Sequence, residues 1–172
     1  KALGDDPGSA SVAVWQGGKL QQTSVRREPG TPTATVVADS GPPPLYEIGS
    51  ISKVFTGLLL AQAVEKGDLS LDDSLGKLLA GKLDFASPNV AVITLRQLVT
   101  HSSCLPRMFG KGLDGRAIVN QFRKTDRIDL MQALEKQELA RKAPCPAVYS
   151  NYGLALVGEL LALHYGKMWD EL

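Results

Sequence analysis

The sequence predicts an α+β fold in which an N-terminal β-hairpin precedes a mainly helical region. Residues 9–15 alternate small and apolar side chains, and residues 19–25 continue in extended fashion after a break. Apolar residues then recur at helical spacing from residue 51 onward. Strands and helices do not alternate, so no parallel sheet is expected. We therefore expect one incomplete domain with two parts, residues 1–48 and residues 49–172.

The hairpin turn is predicted at Gln16-Gly17-Gly18, which separates the two extended segments. The stretch that follows, residues 29–44, is rich in Pro, Gly, Thr and Ser, as is typical of a surface loop. Within it, Thr35-Val36-Val37 is β-branched and indicates one short strand. Two strands alone are marginal, so further strands or packed helices must complete the core.

The strongest predicted helix covers residues 51–66, where Ile51, Val54, Phe55 and Leu58 follow helical spacing and Gly67 suits the end. Further helices are expected over four stretches, which are residues 72–79, 94–100, 128–140 and 151–165.

Local signals support the ends of these helices. Thr94 begins a capping-box pattern, Ser150 or Asn151 can cap the last helix, and Gly166 can close it. Residues 104–124 are predicted to be loop, residues 143–147 to be extended, and residues 168–172 to begin another element.

Composition excludes several kinds of partner. Nineteen basic and eighteen acidic residues give a net charge of +1, so nucleic acid is not expected to bind. No apolar run is long enough to cross a bilayer, and the first residues lack the apolar core of a secretory signal, which we expect to have been removed or left out. The only cysteines and histidines are Cys104, Cys145, His101 and His164, and their spacing favours no metal site. No cofactor is predicted.

A serine and a lysine lie three residues apart at the start of the strongest helix. Ser50 and Lys53 would therefore project from one face, with the amine in reach of the hydroxyl. The helix N-terminus and burial favour the neutral amine, which can accept a proton, and the Ser50 N–H can stabilise an oxyanion. The alternative is a serine N-cap followed by a solvated lysine.

Four separated motifs resemble the family of class C β-lactamases, DD-peptidases and related esterases. Residues 46–57, Y-E-I-G-S-I-S-K-V-F-T-G, are similar to its nucleophile segment, and residues 65–73 are similar to the segment after that helix. Residues 93–106 resemble its T-x-x-x-L-L-T-H-T-S-G-L-P signature, and Y-S-N-Y-G at residues 149–153 matches its Y-x-N motif. The resemblance implies a β-lactamase/transpeptidase-like fold without cofactors.

The resemblance also implies roles for individual residues. Ser50 would be the nucleophile, Lys53 and Tyr149 would move its proton, and Asn151 would bind a substrate amide. A phenol beside an ammonium ionises more easily, which suits Tyr149 to this role. The alternative is that Tyr149 packs in the fold and the next residues only cap a helix. His101 is expected to hold its loop by a hydrogen bond, and His164 to lie at the surface.

The sequence departs from the family in two places. Cys104 replaces a glycine, and a disulfide to Cys145 is one hypothesis, with free buried thiols as the alternative. The family's third motif, K-T-G or H-x-G, does not occur after Tyr149. We therefore expect a partial or processed chain that lacks the C-terminal strands of the sheet. A C-terminal fragment would complete this sheet by strand pairing. The missing strand would carry a second oxyanion donor.

The resemblance favours a β-lactamase that acts through an acyl-enzyme, with a β-lactam, a D-Ala-D-Ala peptide or an ester as the small-molecule substrate. A DD-peptidase or carboxylesterase of the same family is the nearest alternative. A penicillin-binding sensor that is acylated only once and a non-catalytic scaffold are two further hypotheses. Residence in the periplasm or outside the cell, and a part in antibiotic resistance, follow from the resemblance alone.

Overall fold

A computed structural model of the chain describes residues 7–31, 33, 35–37, 45–109 and 126–172. The chain divides into two compact units, residues 1–48 and residues 49–172. Within the described residues, all strands lie in the first unit and all α-helices in the second. This order of elements is the one that the α+β prediction requires.

The first unit contains a three-stranded antiparallel sheet. Strands β1 (Gly8–Gln16) and β2 (Lys19–Arg27) pair along their whole length, and β3 (Thr35–Val37) pairs with the end of β2. The turn between β1 and β2 has two residues, Gly17 and Gly18, with φ of 58° and 75°. Glycine adopts such angles at no steric cost, which explains the tight turn. The predicted hairpin and short third strand are confirmed.

The second unit is helical. Its described α-helices are α1 (Ser52–Glu65), α2 (Leu75–Leu78), α3 (Pro88–Ala91), α4 (Leu95–Val99), α5 (Arg127–Glu135) and α6 (Asn151–Tyr165). A 3-10 turn, Gly49–Ile51, leads into α1, and another, Trp169–Glu171, follows α6. Helix α6 packs against α1 and α4, and its middle is buried. It is therefore the helix around which this unit is built.

The ends of α4 and α6 are set by the predicted caps. The Ser150 hydroxyl accepts a hydrogen bond from Gly153 N (2.9 Å), and Gly166 ends α6 with a left-handed φ of 62°. Thr94 and Gln97 form the expected reciprocal capping box at α4. The predicted caps of both helices are confirmed. The cap at Ser150 places the first turn of α6 directly after Tyr149.

An apolar core packs α1 against α6. Leu60 and Ala63 of α1 and Leu156 of α6 are all almost completely buried, and they belong to one cluster with Leu98 of α4 and Leu134 of α5. Burial of each of these leucine side chains is worth about 1.5–3 kcal/mol. The positions of the two helix starts, where the predicted site lies, therefore depend on this core.

Helix α2 begins later than predicted. The expected helix over residues 72–79 starts only at Leu75, because the Asp73 carboxylate accepts from Ser70 N (2.8 Å) and closes a turn there. The Ser74 hydroxyl then accepts from Lys77 N (3.2 Å), which makes Ser74 the N-cap.

Two other helix predictions need correction. The helix expected over residues 128–140 ends at Glu135, whose carbonyl accepts from Ala86 N (2.9 Å) rather than from a following turn. Helix α3 was not predicted at all, because its four residues are too few for a periodic pattern. Parts of the predicted loops, residues 38–44 and 110–124 among them, lie outside the described residues.

Candidate active site

The serine and lysine of the S-x-x-K motif lie where α1 begins. Ser50 belongs to the 3-10 turn ahead of the helix, and Lys53 is the second residue of α1. Gly49 has a φ of 54°, an angle that favours glycine and turns the chain into the helix. Across one turn, Lys53 Nζ donates a hydrogen bond to Ser50 Oγ (3.2 Å). The lysine is therefore directed at the serine and is not simply solvated.

Tyr149 reaches the same hydroxyl from a distant part of the chain. Its OH donates to Ser50 Oγ at 2.6 Å, although 99 residues separate the two. Lys53 Nζ lies 5.0 Å from the centroid of the Tyr149 ring. The structure thus brings together the three side chains predicted to be catalytic, while their roles stay predictions.

His101 holds the Tyr149 segment on both sides of the tyrosine. The carbonyl of His101 accepts from Val148 N (2.9 Å), and its Nδ1 accepts from Ser150 N (3.1 Å). Its ring also lies 4.8 Å from the Tyr149 ring. Burial and the positive charge of Lys53 lower the pKa of His101, which keeps Nδ1 free to accept. The expected structural role is confirmed, and His164 is exposed as predicted.

A disulfide joins the two loops that flank Tyr149. Cys104 and Cys145 are bonded, with their Cα atoms 5.2 Å apart, so the disulfide hypothesis is confirmed and the free-thiol alternative is wrong. Cys104 keeps a left-handed φ of 65°, the angle expected of the glycine that it replaces. Beside the bond, Cys145 N donates to the Ser102 carbonyl (2.8 Å). The approach to Tyr149 is therefore tied covalently to the loop after α4.

Two cations adjust the acidity of Tyr149. Burial raises the pKa of the phenol, but hydrogen bonds with Lys53 and Ser50 and the positive charges of Lys53 and Arg107 outweigh it. The net result is a pKa below the ordinary value of 10.0. The Arg107 guanidinium contributes because its Cζ lies 5.3 Å from the ring centroid. A tyrosinate in this position is able to take a proton from Ser50.

The Asn151 side chain has its described hydrogen bond with a loop residue and not with these three side chains. Asn151 is the first residue of α6, and its Nδ2 donates to Met108 Sδ (3.2 Å). Within the described residues it makes no hydrogen bond to Ser50, Lys53 or Tyr149. Asn151 and Lys53 instead line a common cavity of about 570 Å³. Substrate binding by Asn151 therefore stays a prediction.

The Ser50 N–H is predicted to be an oxyanion donor. Among the described residues, it donates to no group outside its own helical turn. Neither a group of potential metal ligands nor a helix able to span a membrane occurs in the described part of the chain.

Sequence reasoning missed two neighbours of the site, Arg107 and Met108. Both belong to the loop after α4, and no periodicity places a loop side chain. Their position close behind the Thr-His-Ser-Ser-Cys-Leu-Pro stretch is the only signal that points to them.

Solved structures share this fold. A beta-lactamase/D-alanine carboxypeptidase from Yersinia pestis superimposes with a TM-score of 0.73 at 24% identity, covering 95% of this chain and 44% of its own. A class C beta lactamase from Rhodobacter sphaeroides gives a TM-score of 0.61 at 25% identity, covering 96% and 41%. The fold is therefore that of the β-lactamase/transpeptidase-like serine hydrolases, as predicted.

The chain belongs to the Beta-lactamase family, a family of serine hydrolases, since residues 4–172 match it. It is 30% identical to the D-alanyl-D-alanine-carboxypeptidase/endopeptidase AmpH of Escherichia coli K12 over 128 residues, which cover 74% of this chain and 32% of that protein. It is 27% identical to Penicillin-binding protein 4 of Amycolatopsis lactamdurans over 169 residues, covering 96% and 40%. The chain thus spans about a third to two fifths of the length of these relatives.

Proposed function

We propose that this chain carries the nucleophile of a β-lactamase that acts through an acyl-enzyme. Ser50 Oγ attacks the carbonyl carbon of the β-lactam, the bond from carbon to oxygen forms, and the ring C–N bond breaks. Water then hydrolyses the ester and releases the product. The convergence of Lys53 Nζ and Tyr149 OH on Ser50 Oγ is the observation that carries this proposal.

The proton of the serine needs an acceptor during the attack. In the proposed mechanism, ionised Tyr149 takes it and later donates it to the leaving nitrogen, while Lys53 stabilises the phenolate. The lowered pKa of Tyr149 supports this assignment. General acid–base catalysis of this kind contributes about 10²- to 10⁴-fold in rate.

The tetrahedral intermediate needs hydrogen-bond donors for its oxyanion. We assign one of them to the Ser50 N–H, and we assign Asn151 to the amide of the substrate side chain. A second donor and one wall of the groove would come from a C-terminal segment or fragment that completes the sheet. Loss of one oxyanion donor costs about 10²- to 10³-fold in rate, so catalysis by the 172-residue chain alone is expected to be weak.

A DD-carboxypeptidase is the second candidate. The 30% identity to a protein named D-alanyl-D-alanine-carboxypeptidase/endopeptidase favours it. The same three side chains would serve both reactions, because each proceeds through attack of a serine on an amide carbonyl. A carboxylesterase would use them in the same way.

A disulfide next to the site supports residence in the periplasm or outside the cell, where such bonds persist. Within the family-based proposal, that location places the chain where β-lactams and cell-wall peptides occur.

The test uses a fluorescent penicillin, a chromogenic cephalosporin and a peptide ending in D-Ala-D-Ala. Ser50→Ala is compared with Ser52→Ala, which changes an exposed serine two residues further along. We expect slow cephalosporin turnover that Ser50→Ala abolishes and Ser52→Ala retains. Release of D-Ala without cephalosporin turnover would favour the carboxypeptidase. A stable penicillin adduct would indicate a sensor, and no reaction with any probe would indicate a scaffold.

A further inference from the structure

Arg107 is anchored beside the site by its own backbone. Its carbonyl accepts hydrogen bonds from Asn151 N (2.9 Å) and Tyr152 N (3.3 Å), the first two residues of α6. These bonds attach the Arg107 backbone to the first turn of α6, which begins two residues after Tyr149. The side chain itself is exposed and ends with its guanidinium 5.3 Å from the Tyr149 ring centroid.

The charge of Arg107 has no acidic partner among the described residues. Two other arginines of this unit are paired there: Arg96 donates to Asp72 (2.9 Å) and Arg127 forms an ion pair with the buried Glu159. The Arg107 side chain forms no ion pair with any described carboxylate, and its guanidinium lies against the Tyr149 ring.

The surroundings of Tyr149 are positive as a consequence. Lys53 and Arg107 both lower the pKa of its phenol by their charge, and no described acid opposes them. The chain as a whole is almost neutral, with a net charge of +1. This local excess of positive charge would attract anionic substrates and repel cationic ones.

We propose that Arg107 binds a carboxylate of the substrate and so determines specificity for anionic acyl compounds. A guanidinium presents a planar pair of N–H donors that matches a carboxylate in a bidentate manner. The Tyr149 hydroxyl contacts Ser50 Oγ (2.6 Å), and the Arg107 Cζ lies 5.3 Å from the centroid of the same ring, so the guanidinium is a near neighbour of the nucleophile's partner. The inference rests on the proposed function and adds the substrate class and the residue that recognises it.

The experiment compares two esters that share a leaving group. One is p-nitrophenyl butyrate, which is neutral, and the other is the p-nitrophenyl monoester of glutaric acid, which adds a terminal carboxylate. The whole chain is assayed as wild type, Arg107→Gln and Arg107→Lys. Arg141→Gln is the control, because Arg141 is exposed and forms no described ion pair.

We expect Arg107→Gln to lower kcat/KM for the glutarate ester about tenfold or more, mainly through KM, since a charge-assisted bidentate contact is lost. The kcat/KM for the butyrate ester should change less than about twofold. For the glutarate ester, the kcat/KM of Arg107→Lys should lie between those of the wild type and Arg107→Gln. An equal loss on both esters would mean that Arg107 acts only through Tyr149, which would overturn the inference. No loss on either ester would overturn it as well.

Binding provides a measurement that needs no turnover. Benzoylglycine and its neutral amide are titrated into the wild type and Arg107→Gln, and Kd is taken from NMR shifts. We expect the acid to bind the wild type about tenfold more tightly than the amide, and Arg107→Gln to remove that difference. Equal Kd values for acid and amide in the wild type would contradict the inference. If neither ester is hydrolysed but this preference is present, the proposed function fails and the carboxylate site stands.

Discussion

The substitution Tyr149→Phe separates the phenol's chemistry from its packing. The ring would keep its neighbours, His101 at 4.8 Å, Lys53 at 5.0 Å and Arg107 at 5.3 Å, and would lose only the hydroxyl that lies 2.6 Å from Ser50 Oγ. One hydrogen bond contributes about 0.5–1.5 kcal/mol to stability, so the protein should stay folded. Loss of the proton acceptor should slow acylation about 100-fold or more.

The assay is the rate of Ser50 acylation by a fluorescent penicillin in stopped flow or by quenched gel samples. Because phenolate is the proposed acceptor, the wild-type rate should rise with pH and level off below pH 10, since the pKa of Tyr149 lies below 10.0. Tyr165→Phe is the matched control, because it removes a hydroxyl that donates to Asp68 (2.8 Å) at the far end of α6. Acylation of Tyr149→Phe within about threefold of the wild type would refute the mechanism.

Three further variants test the supports of the site. Lys53→Met should slow acylation about 100-fold, because the variant loses the amine that donates a hydrogen bond to Ser50 Oγ. Cys104→Ser with Cys145→Ser should lower the free energy of unfolding in urea by about 2–4 kcal/mol, because the bond joins residues 41 apart. Ser150→Ala should lower it by about 1–2 kcal/mol, because the hydroxyl caps α6.

Matched controls accompany these substitutions. Lys66→Met changes an exposed lysine at the C-terminal end of α1 and should leave acylation unchanged. Ser52→Ala removes an exposed hydroxyl without a described hydrogen bond and should leave the free energy of unfolding unchanged. A Cys104→Ser/Cys145→Ser protein with the wild-type urea midpoint would contradict the stabilising role assigned to the disulfide. A Lys53→Met protein that is acylated at the wild-type rate would contradict the role assigned to the amine.

Local sequence signals predicted the helix ends well. The Thr94 capping box, the Ser150 cap and the Gly166 stop depend on bonds within a few residues, so they can be recognised without knowing the fold. The predicted end of α5, at residue 140, was wrong. The helix ends at Glu135, whose carbonyl accepts from the N–H of Ala86, a residue distant in sequence. Tertiary contacts of this kind leave no mark in the local pattern.

The candidate site shows the same division. The spacing of Ser50 and Lys53 predicted that they meet, because three residues span one helical turn. The arrival of Tyr149 rested on the family resemblance, since no local rule connects residues 99 apart. The place of Arg107 beside that ring was not predicted, because a loop arginine has no periodic position.

The central claim is that the amine of Lys53 lies next to the phenol of Tyr149 and promotes its ionisation. The most direct measurement is an NMR titration of [13Cζ]tyrosine-labelled protein, with Tyr149→Phe used to assign the signal. The claim predicts that Tyr149 titrates below the ordinary value of 10.0 and that Lys53→Met raises its pKa. A Tyr149 pKa of 10 or above that does not respond to Lys53→Met would contradict it.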